Sequence, residues 1–558
     1  MDIQRLMAWH VRWLVLLIVV AAVLLLPAAQ AQEENGRGSV DGLLTHLSQG
    51  AAVRYLQAHP EQAPPQFSER LEAVRQVLSR NRVQSRAAQT PDLPAGGVLF
   101  NHDNLGLPQN EESITACGQG TVLGGTNDYR GLLDPKGNFT GWHVSTNGGG
   151  SVENEGLLPP VRMKGQAIES GGDPVAKAGP DCSLYMADLN YDFVPDEDFL
   201  PNGIGVYKSD TETLANCPGG SDPSCWPVRK AVAVNSDNKT FLDKPWMYVG
   251  KSAGKTVVWT VYTEFKCPDV GCASGDYNSN SIKAVRCDAG LNNCTAPILI
   301  SGDQPSIQFG DVTIGPDGRT YITWEQDNDL QTNFEPPERM RFWIRVAEPG
   351  STQFGPMHLV AREPLNLGIA PLHANDFRAA TYPKNEVTMV DGAPRVFVTW
   401  EGCRARPAGD SVCEEPRIKV VHSDDRGRTW SAPKIVSIGG DNYFPTISAS
   451  RSTPRVAIAY YTNRVDRVFH NRQDVELVTL NSGTSEVIDR QRLTSVSNES
   501  EADPLLGGLF IGDYIEAFAR GSTALVHYNA NYRQIQLLNE GVPVPQQDNY
   551  LRRASLGG

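Results

Sequence analysis

No two cysteines of this chain have Cys-x-x-Cys spacing, which argues against a structural zinc site. There is no His-Glu-x-x-His and no dinucleotide-binding glycine fingerprint, so a zinc protease and an NAD enzyme find no support. Positive charge is scarce: 50 Lys and Arg face 64 Asp and Glu, for a net charge of −14. A nucleic-acid ligand calls for a basic surface that releases counterions, so no nucleic-acid partner is expected. Long apolar runs are missing as well, apart from Leu14 to Leu26. Those thirteen residues are too few to span a bilayer comfortably.

That run has the form of an export signal. Arg5 and Arg12 precede it, Pro27 ends it, and Ala29-Gln30-Ala31 supplies small residues for cleavage before Gln32. Residues 1–31 are therefore expected to be a signal peptide, with no stable membrane insertion after cleavage. The mature chain is expected to be secreted, extracellular or periplasmic. The ten cysteines agree, since disulfides are the default outside the cytoplasm. Close neighbours suggest Cys217/Cys225, Cys267/Cys272, Cys287/Cys294 and Cys403/Cys413, which leaves Cys117 with Cys182; spacing alone does not fix the pairing.

From about Val40 to Arg86 the apolar spacing is helical: Leu43, Leu44 and Leu47 share one face, and so do Leu71, Val74 and Leu78 after Pro64-Pro65. Residues 32–97 thus read as a short helical segment and linker. From Val98 on, short β runs alternate with Gly, Pro, Asn and Asp, and no amphipathic helix of useful length returns.

This β region repeats itself. Runs ending in aromatic residues recur at Thr256–Glu264, Arg319–Glu325, Arg395–Glu401 and Arg455–Tyr461. A second phrase follows some of them, as in Ala296-Pro297-Ile298-Leu299, Gly355-Pro356-Met357-His358 and Ala432-Pro433-Lys434-Ile435. Units of this length with about four strands each are propeller blades, which bury their faces only by stacking around an axis. The expected fold is an all-β propeller over residues 98–541, with seven blades (six as the alternative) and a loose tail at 542–558. The last unit holds only about three strands, and Gly97-Val98-Leu99-Phe100 is a candidate to complete it.

Ser423-Asp424-Asp425-Arg426-Gly427-Arg428-Thr429-Trp430 carries the pattern Ser-x-Asp-x-Gly-x-Thr-Trp, and Ser145 to Val152 keeps the spacing with Asn147 for Asp. The physics is a tight hairpin, with Asp425 bonding the turn backbone and Gly427 taking positive φ. With Asp173-Pro174, Asp243-Lys244-Pro245-Trp246 and Gly512-Asp513-Tyr514, this resembles the secreted sialidase-like Asp-box (BNR-repeat) propellers. The resemblance implies that the Asp-box turns lie away from the active face. That face would then hold Glu111, Asp128, Asp173, Asp243, Lys244, Glu264, Asp376, Asp513 and Tyr514. For a sialidase-type glycoside hydrolase it implies Tyr514 as nucleophile, Glu325 or Glu401 as its base, and Asp173 or Asp243 as the acid. Arg130, Arg378 and Arg464 would bind the sugar carboxylate.

Three departures stand against that assignment. The Arg-Ile-Pro phrase of true sialidases is missing, acids outnumber arginines, and seven blades would differ from the family's six. The partner expected is an extracellular glycan or glycoprotein, either hydrolysed or bound without catalysis. No cofactor is expected. The acidic stretches at Asp192–Asp198 and Asp327–Asp329 read first as solvated loops and second as calcium loops.

Overall fold

The computed structural model describes residue 72 and residues 97–557, other than 134–136, 192–200, 269–277, 303, 328–339, 365–371, 373, 376, 404–414, 504, 507, 509 and 536–542. The expected signal peptide and helical segment, Asp376, and most of both candidate calcium loops lie outside the described residues. Among those described, no helix is long and apolar enough to cross a membrane.

The described residues form seven four-stranded antiparallel sheets. Six are continuous in sequence, with first strands at Gln109–Cys117, Ser170–Ala178, Thr240–Ser252, Ile307–Ile314, Lys384–Val390 and Asn442–Ala449 (blades 1 to 6). Blade 7 runs from Glu516–Arg520 through Thr523–Ile535 and Val544–Ser555 to Val98–Leu99. The first strands touch one another in turn around a closed ring. The protein is thus a seven-bladed β-propeller, closed by a strand from the beginning of the β region.

One expectation fails here. Residues 542–558 are not a loose tail, because Val544–Ser555 is the third strand of blade 7 and pairs with Thr523–Ile535 on one side and Val98–Leu99 on the other. Its Gln546-Gln547-Asp548-Asn549 stretch is polar yet buried. The reason is pairing: Asp548 binds Arg533, and Asn549 reaches Asn101 and His527.

Strand-like alternation is muted because most strands are flanked on both faces by neighbouring blades. Trp259, Trp324, Trp400 and Tyr460, the aromatic residues that mark the repeats, are all buried on second strands. The turn at 423–430 closes as its composition requires. Asp425 Oδ1 accepts the amides of Arg428 at 3.0 Å and Thr429 at 2.8 Å, and Ser423 Oγ accepts the amide of Gly427 at 2.8 Å. Asn147 repeats this in blade 1, accepting from Gly150 at 2.9 Å and Ser151 at 3.0 Å. Gly250-Lys251-Ser252-Ala253-Gly254, whose spacing matches a hydrolase nucleophile turn, is only a hairpin: Ser252 Oγ is tied to the Gly318 carbonyl at 2.6 Å.

Disulfides join Cys117–Cys182, Cys217–Cys225 and Cys287–Cys294. Cys267 and Cys403 are also disulfide-bonded, to partners outside the described residues. Cys117–Cys182 links the first strand of blade 1 to the loop after the first strand of blade 2, over a separation of 65 residues. Loop-closure entropy assigns a crosslink of that span about 4 kcal/mol. The Cys117→Ala/Cys182→Ala protein is expected to lose about that much in urea denaturation, and a loss below ~1 kcal/mol would show that the bond does not restrain the unfolded chain.

Candidate functional site

First strands begin, and second strands end, at one end of the propeller; the turns at 423–430 and 145–152 lie at the other. At the first end the inner strands share a device. Each of the first strands of blades 1 to 4 and blade 6 carries a bulge, with a positive-φ residue at Glu111 (60°), Asp173 (56°), Lys244 (52°), Phe309 (52°) and Phe444 (50°). Bulges re-aim side chains out of the ladder. Three of these residues precede a proline (Pro174, Pro245, Pro445), which has no amide to lend to pairing at that point.

The re-aimed side chains meet in a buried charge cluster. Lys244 Nζ is bonded to Asp513 Oδ2 and stands 4.0 Å from both Glu111 Oε1 and Asp173 Oδ2. Arg378 holds the same aspartate through Nε at 3.0 Å and Nη2 at 2.5 Å, and Tyr382 donates its hydroxyl to the Asp513 carbonyl. One aspartate of the loop before blade 7 thus ties together blade 3 and the segment before blade 5. Asn127 bridges the acids of blades 1 and 2: its Nδ2 donates to Glu111 Oε2 at 3.0 Å, and its Oδ1 accepts the Asp173 amide at 2.9 Å.

The four carboxyls are not equivalent. Burial pushes Glu111 up to about 7, against the pull of Lys244. Asp173 is raised by burial and by the charge of Glu111. Burial works against ionised Asp513 as well, but the Arg378 guanidinium and then the Lys244 ammonium hold it below the usual range. The fourth, Asp243, is buried and accepts the Lys244 amide at 2.9 Å. Glu111 Oε1 and both oxygens of Asp173 have no protein donor.

Aromatic rings wall the cluster. Phe309 stacks on Tyr382 with centroids 4.7 Å apart, and Trp246 meets Tyr514 edge-on at 5.4 Å. A cavity of about 20 Å³ between Asp173, Lys244 and Tyr514 has room for about one water. Beyond Trp246 and Lys384 the axis opens into a channel of about 130 Å³ between the inner strands.

The residues singled out from the sequence divide between this cluster and the blades. Asp173, Asp243 and Arg378 belong to the cluster, and Tyr514 borders it. The Tyr514 hydroxyl donates to the Pro174 carbonyl at 3.0 Å, not to Glu325 or Glu401, and burial holds its pKa well above that of a free phenol. Glu325 and Glu401 are buried at the second strands of blades 4 and 5, where burial raises both carboxyls. Arg130 is gripped by Asp128, with Nε 2.9 Å from each carboxylate oxygen, and by Glu155 at 2.9 Å, within blade 1. Arg464 is gripped by Glu476 within blade 6, its Nε bond being 2.8 Å. The three arginines bond different carboxylates: Asp128 and Glu155, Asp513, and Glu476, respectively. Sequence reasoning missed Phe309, Tyr382 and Lys384; the recurring X-Pro step at the start of inner strands is the signal that would have pointed to Tyr382-Pro383.

Fold and site together define a seven-bladed β-propeller with a buried, acid-rich charge cluster on its axis. No protein family model and no curated protein matches the chain. Among solved structures, a Hadza microbial sialidase is 12% identical, with 76% of this chain and 75% of that one covered and a TM-score of 0.40. An ulvan lyase is 8% identical over 83% and 96%, with a TM-score of 0.43. An α-L-arabinofuranosidase from Fusarium graminearum is 12% identical over 71% and 99%, with a TM-score of 0.41. Likeness this distant carries no statement about activity.

Proposed function

We propose that the protein is an exported propeller that recognises an extracellular glycan free of acidic sugars and does not hydrolyse sialosides. The observation that carries this reading is that Arg130, Arg378 and Arg464 are each neutralised by carboxylates of the chain itself. A sugar carboxylate would have to break a buried or bidentate pair to gain one. The acceptor-rich axial end suits hydroxyl donors, and the sequence phrases shared with secreted sialidase-like propellers support a glycan partner. A second reading rests on the divergent carboxyls: Glu111 held as an acid near neutrality beside ionised Asp513 is the pattern of a glycosidase acid and its stabilising carboxylate.

Purified protein offered fluorogenic sialosides, neutral glycosides and a glycan array separates the two. Binding to neutral glycans without turnover is the expected result. Neutral-glycoside turnover lost in Glu111→Gln would favour the second reading, and sialoside turnover lost in Tyr514→Phe would overturn both.

A further inference from the structure

At the end opposite the charge cluster, a groove of about 340 Å³ runs between blades 7 and 1. Its floor is apolar, with Val122, Leu525 and Phe518, and the Cys117 disulfide forms one side. Two guanidinium groups project into it. Arg520 is tied to the Gly118 carbonyl and Arg553 to the Gly148 carbonyl, the latter at 2.7 Å. Neither has a carboxylate within ion-pair distance among the described residues, and no Asp or Glu lines the groove. In a chain of net charge −14 an acid-free pocket holding two arginines stands apart. Arg130, Arg378, Arg464, Arg492 and Arg533 have their own carboxylate, whereas Arg229, Arg286 and Arg345 bond backbone carbonyls and lie outside this groove.

The seat of Arg553 is made by a glycine. Gly148 has φ +78°, and a Cβ there would come within 2.6 Å of Arg553 Nη2. Each anchor uses one N–H and leaves the other donors of both guanidinium groups without a protein acceptor among the described residues. Arginine's planar fork matches the geometry of an oxyanion.

We propose that this groove binds an oxyanion, a sulfate or carboxylate group carried on a small ligand, between Arg520 and Arg553. It lies away from the axial cluster and is independent of the function proposed for it. The test is calorimetric titration of the full chain with sodium sulfate and, separately, with glucuronate, at ionic strength held constant with sodium chloride. Saturable binding of either anion, weakened about tenfold or more in Arg520→Gln and in Arg553→Gln, is expected from the loss of a charge-assisted bond. Sulfate alone would assign the site to sulfate esters, and glucuronate alone to uronates. Thr523→Glu, which leaves both arginines in place and adds a carboxylate to the lining, should abolish binding while the melting curve is retained. No saturable binding of either anion, or equal binding by all three variants, would overturn the assignment.

Discussion

Replacing Asp513 by Ala is expected to destabilise the folded protein by about 3–5 kcal/mol in chemical denaturation, the usual cost of removing one partner from a buried ion pair. Asp513 is hydrogen-bonded to both Lys244 and Arg378, and both cations are nearly inaccessible to solvent. Removing it takes a carboxylate partner from each of two charges in a low-dielectric interior. Glu111 and Asp173 offset part of this, since each stands 4.0 Å from Lys244 Nζ and would ionise more readily with Asp513 gone. The double variant Asp513→Ala/Lys244→Met should therefore be more stable than the sum of its parts by 1 kcal/mol or more, roughly the coupling expected of residues in one network. A cost for Asp513→Ala below ~1 kcal/mol would mean that the cluster is hydrated and does not hold the blades together.

Stability should also fall as pH rises from about 4.5 to 7. Glu111 titrates near 7 in the folded protein against 4.5 for its ordinary value. Between those values the folded state holds a proton that the unfolded chain has released, so the contribution is complete below 4.5 and is lost as pH climbs through 7. The facing groups are Lys244, Arg378, Asp173 and Asp513, and the first two keep their charge throughout this range. A gap of this size corresponds to roughly 3–4 kcal/mol. Asp103, raised to about 6, and Asp548, raised to about 7, act in the same direction, both chiefly through burial. Asp513 acts in the opposite direction and only at lower pH, where its protonation removes the partner of Arg378. Denaturation midpoints measured from pH 4.5 to 7.5 should show the decline, and Glu111→Gln should reduce it. An unchanged slope in that variant would place the titrating group elsewhere.

Much of the architecture was legible because a blade repeats its physics. Trp259, Trp324 and Trp400 occupy equivalent second-strand positions, and the recurrence of the runs that carry them, with a second phrase behind some of them, announced the ring. Val98–Leu99 was recognisable as the completing strand because blade 7 was short of one. Val544–Ser555 was not: a Gln-Gln-Asp-Asn stretch reads as solvent-facing until its partners, Arg533 and Asn101, are seen to come from distant parts of the chain. The charge cluster was half legible. Asp173, Asp243, Lys244, Arg378 and Asp513 stand where the repeat phase put them, yet nothing local says that Lys244 and Arg378 converge on one aspartate. Arg130 and Arg464 had the right phase too, but Arg130 is occupied by Asp128 beside it and by Glu155 of the fourth strand, and Arg464 by Glu476 of the next strand, pairings that only the folded sheet reveals.

The way blade 7 is assembled sets an order of events in the life of the chain. Its outermost strand, Val98–Leu99, is made before any blade, and the strand it pairs with, Val544–Ser555, is made after all of them. Blades 1 to 6 are each continuous in sequence, but blade 7 lacks its third strand, and Val98–Leu99 its partner, until those last residues arrive. A deletion of residues 544–555 would leave blade 7 with its two inner strands and Val98–Leu99 without its pairing partner.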